Sequence, residues 1–422
     1  MPYWEGRSPS ASNLRLLEPG IGWRQHDDQP NDEGAVPFQG ASKKIELALS
    51  TALNASNLVL LTGAGSSFCA KNPAAGLQAP GMKTLWTKVE EAAGKPTMAE
   101  VVALIPAAKD VDNIEKLLTF CKIYVTLFAD ENAKKVQNFI DVAEIAILGC
   151  VSFVTASTNL ASHRQLVRKI ARRGIRKPRA KVFTTNYDLC FEYAAQGQQF
   201  VVVDGFSHSF PQIYDRAHFS YDIVRRETGS DAPDYIENVF HLYKLHGSSD
   251  WRRRPDGTVT RSQDNAVGKP VLIYPRDTKY QEAFESPYLD MMSGFQAALR
   301  EKDTALLVSG FGFNDDHIAK PIMAALEANM SLRVIVCDVN FLDDHDLERD
   351  DVVIDGSSPM RVANEYFKRF KALCEHGDTR LTLLSGRFED LASALPDLVA
   401  QTERERHAER LQLVRALPQA AS

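Results

Sequence analysis

Three short segments of this sequence carry side chains that could do chemistry, and the first of them contains a histidine. In VFHLYKLHGSSDW, residues 239–251, His246 follows an apolar run and precedes Gly247, which predicts a strand end where the backbone can pass close to a ligand. An imidazole there can take or give a proton near neutral pH. A histidine beside apolar residues is also typical of a packed, hydrogen-bonded side chain, and we interpret His241, inside the run, in that way.

The second segment is TTNYD, residues 184–188, which follows the predicted strand KVF and precedes a predicted helix. Asn186 offers both a donor and an acceptor that could hold a water molecule or a ribose hydroxyl. Asp188 lies in the first helical turn, where an acid is favourable. Asn and Asp are also typical helix caps, and taken alone the segment favours that structural interpretation.

The third segment, TGAGSS at residues 62–67, follows a short apolar strand. Gly63 and Gly65 would let backbone N–H groups approach a pyrophosphate without obstruction by a Cβ. Phe68 occupies the third glycine position of the dinucleotide-binding pattern, and no second strand ending in an acid follows at the expected distance, which disfavours an ordinary NAD dehydrogenase. The P-loop sequence is absent as well, which disfavours a P-loop NTPase.

Two further strand ends carry polar or glycine-rich sequences. SGFGFNDDHI, residues 309–318, contains Gly310 and Gly312, which permit close backbone approach to a nucleotide. VCDVN, residues 336–340, places Asp338 and Asn340 where they could contact adenosine hydroxyls or a base edge. Helix capping and core packing do not readily explain why these polar or glycine-rich strand ends occur together with His246.

The elements that must position these segments alternate in an α/β rhythm. Strands are predicted at residues 57–61, 181–184, 200–203, 240–245, 271–274, 304–308, 332–337 and 380–384. Helices are predicted at residues 43–55, 83–93, 97–105, 113–129, 131–149, 159–173, 187–196, 286–302, 315–329, 359–375 and 388–395. This pattern predicts an α/β fold with a mostly parallel sheet, helices on both faces, and ligands at the carboxyl ends of the strands.

The same pattern divides the chain. Residues 1–42 are expected to form either an N-terminal arm that docks on something such as a neighbouring subunit, or a disordered tail. Residues 43–395 are expected to form the main domain. Residues 83–178 predict a helical insertion, and residues 396–422 a charged helical tail. The basic stretch 164–181 is interpreted as a solvated helix face, with nucleic-acid or partner contact as the alternative.

Composition excludes few classes. The 422 residues carry a net charge of -6, which argues against a surface designed as a whole for nucleic acid. The six cysteines occur singly, without a C-x-x-C pair, which suits a reducing compartment and removes the usual zinc spacing. No stretch has secretory or membrane-spanning character, so we expect a cytoplasmic protein without membrane contact.

The ordered set GAGSS, TTNYD, LHG, GFGFND and DVN resembles the sirtuin-like NAD-binding fold, specifically the bacterial sirtuin-like NADases of anti-phage defence, over roughly residues 45–395. The resemblance implies a Rossmann-like domain in which Asn186 and His246 match the catalytic Asn and His, and Asp188 matches the NAD-site acid. It also implies that the NAD site is lined by Gly63, Ala64, Gly65, Ser66 and Ser67, with Gly310, Gly312 and Asn340 on the adenosine side.

The chain departs from deacylating sirtuins because it lacks their two C-x-x-C pairs, so no zinc is expected and protein deacylation is in doubt. The expected activity is hydrolysis of NAD, as substrate, to nicotinamide and ADP-ribose. Such an activity needs regulation, so we expect a homo-oligomer or a HerA-type hexameric translocase ATPase as partner, with nucleic acid contacted only indirectly. The alternatives are an NAD-dependent deacylase or ADP-ribosyltransferase, a non-catalytic NAD or ADP-ribose sensor that gates a partner, and a nuclease or helicase accessory protein.

Overall fold

A nine-stranded central sheet organises the chain in the computed structural model, which describes residues 6–28, 39–72, 76–173, 177–226, 234–272, 286–342 and 364–398. The strands of the described chain are β1 Arg15–Glu18, β2 Gly22–Gln25, β3 Asn57–Thr62, β4 Lys71–Asn72, β5 Leu77–Gln78, β6 Lys181–Thr184, β7 Val201–Val203, β8 Val224–Arg225, β9 Asp234–Tyr235, β10 Val239–Lys244, β11 Gly247–Arg253, β12 Val259–Arg261, β13 Lys269–Leu272, β14 Thr304–Ser309, β15 Arg333–Asp338 and β16 Leu381–Ser385. The α-helices are α1 Ser42–Asn54, α2 Ala64–Ser67, α3 Met82–Ala93, α4 Lys95–Leu104, α5 Ile114–Leu127, α6 Glu131–Val151, α7 Ala161–Ala171, α8 Cys190–Gly197, α9 Tyr288–Arg300, α10 Asp316–Ala328, α11 Glu365–Glu375 and α12 Phe388–Ala394.

The order of the central strands is β2-β1-β16-β15-β14-β3-β6-β10-β7. The seven strands from β16 to β7 run parallel. From β3 the chain proceeds to β6, β7 and β10 on one side, and then returns to β14, β15 and β16 on the other. The adjacent strands β3 and β14 therefore flank the topological switch point, which is where α/β sheets bind ligands.

Alternate side chains of each strand enter two separate cores, one on each face of the sheet. In β3, Val59 and Leu61 pack on one face with α9, α10 and α11. Leu58 and Leu60 pack on the other face with α1, α7, α8 and α12. This confirms the α/β class with a mostly parallel sheet, and each predicted central strand begins and ends within one residue of its predicted bounds.

The N-terminal region differs from the predicted arm. Residues 15–18 and 22–25 form an antiparallel pair, β1 and β2, and β1 adds antiparallel to the edge strand β16. Leu14 and Leu16 are buried in the core between the sheet and α1. Residues 15–25 therefore extend the chain's own sheet, whereas the expected contact was a neighbouring subunit or none at all. The bounds of the arm at residues 1–42 stay a prediction.

The predicted strand at residues 271–274 is a second correction. Residues 269–272 form β13, which pairs antiparallel with β11 in a three-stranded sheet, and β12 pairs with β11 on its other side. This sheet lies outside the parallel layer. Residues 273 and 274 lie outside the described part of the chain, as do residues 399–422 of the predicted tail.

The predicted helical insertion contains two kinds of helix. Helices α3 to α6 pack around a shared core, which includes Leu85, Val89, Leu117 and Phe139. Helix α7 instead packs on the sheet with α8 and α12, so it belongs to a layer of the main fold. No helix in the described ranges is long and apolar enough to cross a membrane.

Basic side chains in the stretch 164–181 bind carbonyl groups at the ends of neighbouring helices, which the sequence did not predict. Lys169 donates to the carbonyl oxygens of Ala392 (2.8 Å) and Ser393 (3.1 Å) at the end of α12. Arg173 donates to the carbonyl oxygens of Ala55 and Ser56, beyond the end of α1. Cations are favourable at helix C-termini because the last carbonyl groups carry partial negative charge. Lys169 and Arg173 therefore bind carbonyl groups at helix ends, so the stretch 164–181 is not simply a solvated helix face.

Candidate active site

A cavity of about 590 Å³ opens at the carboxyl ends of the parallel strands, over the switch point between β3 and β14. Its walls come from the loops after β3, β6, β10, β14, β15 and β16, and from the helical insertion. The predicted site residues that line it are Gly63, Ala64, Gly65, Ser67, Asn186, Asp188, His246, Gly310, Gly312 and Asn340. Ser66 is buried behind this wall, where its hydroxyl donates to the carbonyl oxygen of Gly63 at 2.8 Å.

The two glycine turns pack directly against each other. The backbone N–H of Gly65 donates to the carbonyl oxygen of Gly310 at 2.9 Å. A Cβ on Gly65 would lie 2.7 Å from the Cα of Gly310, and one on Gly63 would lie 2.9 Å from the carbonyl oxygen of Gly310. The glycines are therefore required for contact between the β3 and β14 loops, a reason distinct from the predicted approach to a pyrophosphate. Gly247 is similar, since a Cβ there would overlap the carbonyl oxygen of Val271.

Asn186 is held by the β3 loop. Its amide Nδ2 donates to the carbonyl oxygen of Gly63 (2.9 Å) and to the hydroxyls of Ser66 (3.1 Å) and Ser67 (2.7 Å). The Ser67 hydroxyl then donates to Oδ2 of Asp188 at 2.6 Å. With Nδ2 fully used, Oδ1 of Asn186 is the atom left to accept a hydrogen bond from a ligand, since no residue in the described ranges donates to it.

Asp188 has the capping role that the sequence also suggested. Its Oδ1 accepts the backbone N–H of Cys190, at the start of α8, at 3.0 Å. Asp188 is buried, and its Oδ2 is occupied by Ser67. It therefore anchors the β6 loop and the β3 loop to each other, and both carboxylate oxygens already have partners inside the protein.

A buried lysine supports the same loop from below. The ammonium group of Lys244, the last residue of β10, donates to the carbonyl oxygens of Tyr187 (3.4 Å) and Asp188, and pairs with Glu192 at 3.1 Å. Burial raises the pKa of Glu192, and the nearby Lys244 opposes that shift. Breaking a buried ion pair leaves an uncompensated charge, so Lys244 is held in place by Glu192. Through its bonds to the carbonyl oxygens of Tyr187 and Asp188, Lys244 in turn fixes the loop that carries Asn186.

His246 is buried at the end of β10, and its Nε2 lies 3.2 Å from Nε2 of His317 in α10. Desolvation lowers the pKa of His246 well below its usual value, and the charge of a protonated His317 lowers it further. His246 is therefore neutral near pH 7 and has a lone pair that can accept a proton. His241, by contrast, lies beside the rings of Phe219 and Tyr243 and does not line the cavity.

The side of the cavity that we expect to bind adenosine contains the predicted residues Asp338 and Asn340, and one that the sequence analysis did not name, Arg387. Asp338 accepts the backbone N–H of Asn340 at 2.8 Å, and both residues line the cavity. Arg387, in the loop after β16, lines the same region, and its guanidinium Nε donates to Asp390 at 2.8 Å. Sequence reasoning missed Arg387, although SGRFED follows an apolar strand as the other loops do.

The helical insertion forms the opposite wall, which the sequence did not predict. Its apolar lining residues are Met82, Leu85, Val151 and Phe153. A polar contact joins this wall to the loop after β6, in which the Tyr187 hydroxyl donates to Oε1 of Glu115 at 3.1 Å. Among the described residues, no group of three or more His, Cys, Asp or Glu side chains could hold a metal ion.

The comparison with protein families bears on this geometry. Residues 180–349 match the family model of the SIR2-like domain. The matched segment contains Asn186, His246 and the Gly310 loop, whereas the Gly63 loop precedes it. Comparison with curated proteins found no match. The family match supports a sirtuin-like protein that binds NAD and has an NAD-related activity.

Proposed function

We propose that the protein is an NAD glycohydrolase, which cleaves the bond between nicotinamide and ribose to give nicotinamide and ADP-ribose. The observation that carries the proposal is that a neutral His246 and an anchored Asn186 line one cavity at the switch point of the sheet. The cavity volume of about 590 Å³ suits a small-molecule ligand. A protein that only binds a nucleotide needs neither side chain.

The chemistry follows from the substrate. The nicotinamide–ribose bond breaks through a transition state that resembles an oxocarbenium ion, and nicotinamide leaves as a neutral molecule. When the C–N bond breaks, its electron pair stays on the nicotinamide nitrogen. The oxygen of a water molecule then forms a bond to the ribose carbon. One proton of that water must then be removed.

The side chains have separate tasks in this step. Oδ1 of Asn186 orients the attacking water or a ribose hydroxyl, since Nδ2 is held by the β3 loop. His246 accepts the proton as general base, a contribution of roughly 10²–10⁴ in rate. The apolar wall of the insertion reduces the access of competing nucleophiles.

We also propose that the activity serves anti-phage defence through depletion of NAD, and that it is switched by assembly with further copies or with a hexameric translocase ATPase. The support is the order of the five motifs and the need to restrain an enzyme that consumes NAD. Sizing the protein alone and with such an ATPase tests this part; a monomer that ignores the ATPase would contradict it.

The catalytic proposal is tested by nicotinamide release from NAD, measured with and without the ATPase. We expect His246→Ala and Asn186→Ala to lose release by at least about a hundredfold, because each removes a group acting at the reacting atoms. His376→Ala is the matched control, since His376 is exposed just after the end of α11, where its ring Nδ1 contacts the carbonyl oxygen of Ala372. Release that persists in His246→Ala would refute the assignment. NAD binding without any release would favour the sensor.

A further inference from the structure

The contact between His246 and His317 has consequences for which atom of His246 can act. The two Nε2 atoms lie 3.2 Å apart, and the ring centroids lie 5.4 Å apart. Two imidazole nitrogens form a hydrogen bond only if one carries a hydrogen and the other presents a lone pair. The contact therefore couples the tautomers of the two rings.

The residues come from distant parts of the sheet. His246 follows β10, whereas His317 is in the first turn of α10, after β14, and β3 and β6 lie between these two strands. The ring of Tyr187 lies 6.4 Å from that of His246, and the ring of Tyr288 lies 6.4 Å from that of His317. The pair thus bridges the switch point between two aromatic rings.

The β14 side holds His317 in place through its neighbour. Asp316 accepts the Tyr366 hydroxyl at 2.8 Å and pairs with Lys320 at 2.8 Å, which fixes the first turn of α10 to α11. The hydrogen bonds from Lys320 and Tyr366 lower the pKa of Asp316, and the charge of a protonated His317 adds a smaller effect in the same direction.

We propose that His317 is a positioning residue for His246, which accepts the hydrogen of His246 Nε2 and so leaves Nδ1 of His246 as the base. The opposite arrangement, with His317 as donor, would place the hydrogen of neutral His246 on Nδ1 and leave no lone pair for the substrate. When Nδ1 takes a proton from the attacking water, the Nε2–H stays hydrogen-bonded to His317. This inference rests on the proposed glycohydrolase activity, because the need for a lone pair that faces the substrate selects one of the two arrangements, although the tautomer itself can be measured without turnover.

The kinetic test compares two substitutions. His317→Phe keeps a ring of similar size but cannot accept a hydrogen bond, and we expect kcat for nicotinamide release to fall about ten- to a hundredfold with KM changed less than about threefold. His317→Gln provides an amide oxygen, and we expect it to recover most of the loss. Lys320→Gln is the control for disturbance of α10, because Lys320 pairs with Asp316 in the same turn.

Two kinetic results would overturn the proposal. Unchanged or faster release in His317→Phe would mean that the hydrogen bond to His317 does not help His246 during turnover, and that the substrate replaces this contact when it binds. Equal loss in the Phe and Gln proteins, with a parallel loss in Lys320→Gln, would mean that His317 supports the fold of the α10 turn rather than the tautomer of His246.

A measurement without turnover separates this inference from the proposed function. Nitrogen NMR of the labelled protein reports which nitrogen of His246 carries hydrogen. We expect a protonated Nε2 and an unprotonated Nδ1 in the wild-type protein, and loss of that preference in His317→Phe. This result in a protein that releases no nicotinamide would keep the tautomer assignment and reject the glycohydrolase. A hydrogen on Nδ1 would overturn the assignment even in an active enzyme.

Discussion

The two walls of the cavity are built in different ways. On the sheet side, the Gly63 and Gly310 loops touch through their backbones, and Asn186, Ser67 and Asp188 form one hydrogen-bonded chain. On the insertion side, apolar side chains face the cavity, and a hydrogen bond from Tyr187 to Glu115 links this wall to the loop after β6. The proposed catalytic residues Asn186 and His246 thus lie on the wall that is held together by backbone contacts and hydrogen bonds.

The difference has a physical basis. Backbone atoms in van der Waals contact cannot yield without shifting whole strands, whereas apolar side chains adjust by changing rotamers. The core of the insertion helices also includes Tyr187 and Leu272 of the main domain, so this wall meets the rest of the protein through side chains. We therefore expect substitutions on the sheet side to have larger effects than those on the insertion side.

The largest effect is expected from Gly310→Ala. Gly310 has a φ of 68°, and a Cβ there would overlap the backbone nitrogen of Ser66. Gly377→Ala is the matched control, since its φ is 88° and nothing lies within 4 Å of the added Cβ. Positive φ costs about 1–2 kcal/mol in both proteins, and the clash adds about 1–3 kcal/mol in the first alone.

Chemical denaturation of the two proteins measures this difference in the free energy of unfolding. We expect Gly310→Ala to lose about 4 kcal/mol and Gly377→Ala about 1 kcal/mol. Equal losses in the two proteins would show that the glycine loops can separate, and the contrast between the two walls would fail.

A second, pH-dependent effect is expected behind the sheet-side wall. His163 in α7 is buried between Phe191 and Phe388, and desolvation lowers its pKa to about 4. Above pH 6.5 the histidine is neutral in both states and contributes nothing. Between pH 6.5 and 4 the unfolded state takes up a proton that the folded state does not, so stability falls as the pH falls, by about 3 kcal/mol in all.

His163→Leu removes this dependence, and its free energy of unfolding should fall less than that of the wild-type protein between pH 6.5 and 4. His241, whose pKa is also lowered to about 4, is present in both proteins, so the comparison isolates His163. Parallel pH profiles would mean that a proton or a water reaches His163, and that this wall is looser than its packing indicates.

The smallest effect is expected from Tyr187→Phe, which breaks the hydrogen bond between the loop after β6 and the insertion. The substitution removes the hydroxyl that donates to Glu115, which should reduce stability by about 1 kcal/mol and change kcat less than about threefold. Tyr193→Phe is the matched control, because the structure shows no hydrogen bond from that hydroxyl within the described chain. Loss of nicotinamide release in Tyr187→Phe alone would make the insertion part of the catalytic apparatus.

The sequence predicted the sheet-side wall well, because parallel strands bring their carboxyl ends to one edge. Gly63, Asn186, His246 and Gly310 each follow an apolar strand, so their meeting could be inferred from local patterns alone. The roles of these residues in catalysis stay predictions.

The contacts that the sequence did not reveal join elements distant in the chain. Glu115 reaches Tyr187 only because α5 folds over the β6 loop, and His317 reaches His246 across two intervening strands. Strands β1 and β2 are short and lie in a stretch rich in turn-forming residues; β1 joins the sheet by pairing with the distant strand β16, and β2 pairs with β1. No periodicity in a single sequence encodes such long-range pairings.

Hydrolysis of NAD by this protein can be tested in one time course that follows NAD, nicotinamide and ADP-ribose with the purified protein and its candidate ATPase. We expect NAD to disappear while nicotinamide and ADP-ribose appear in equal amounts, and His246→Ala to stop both. Nicotinamide without a matching amount of free ADP-ribose would indicate transfer to another acceptor. NAD that binds and remains intact under every condition would rule out the proposed hydrolysis.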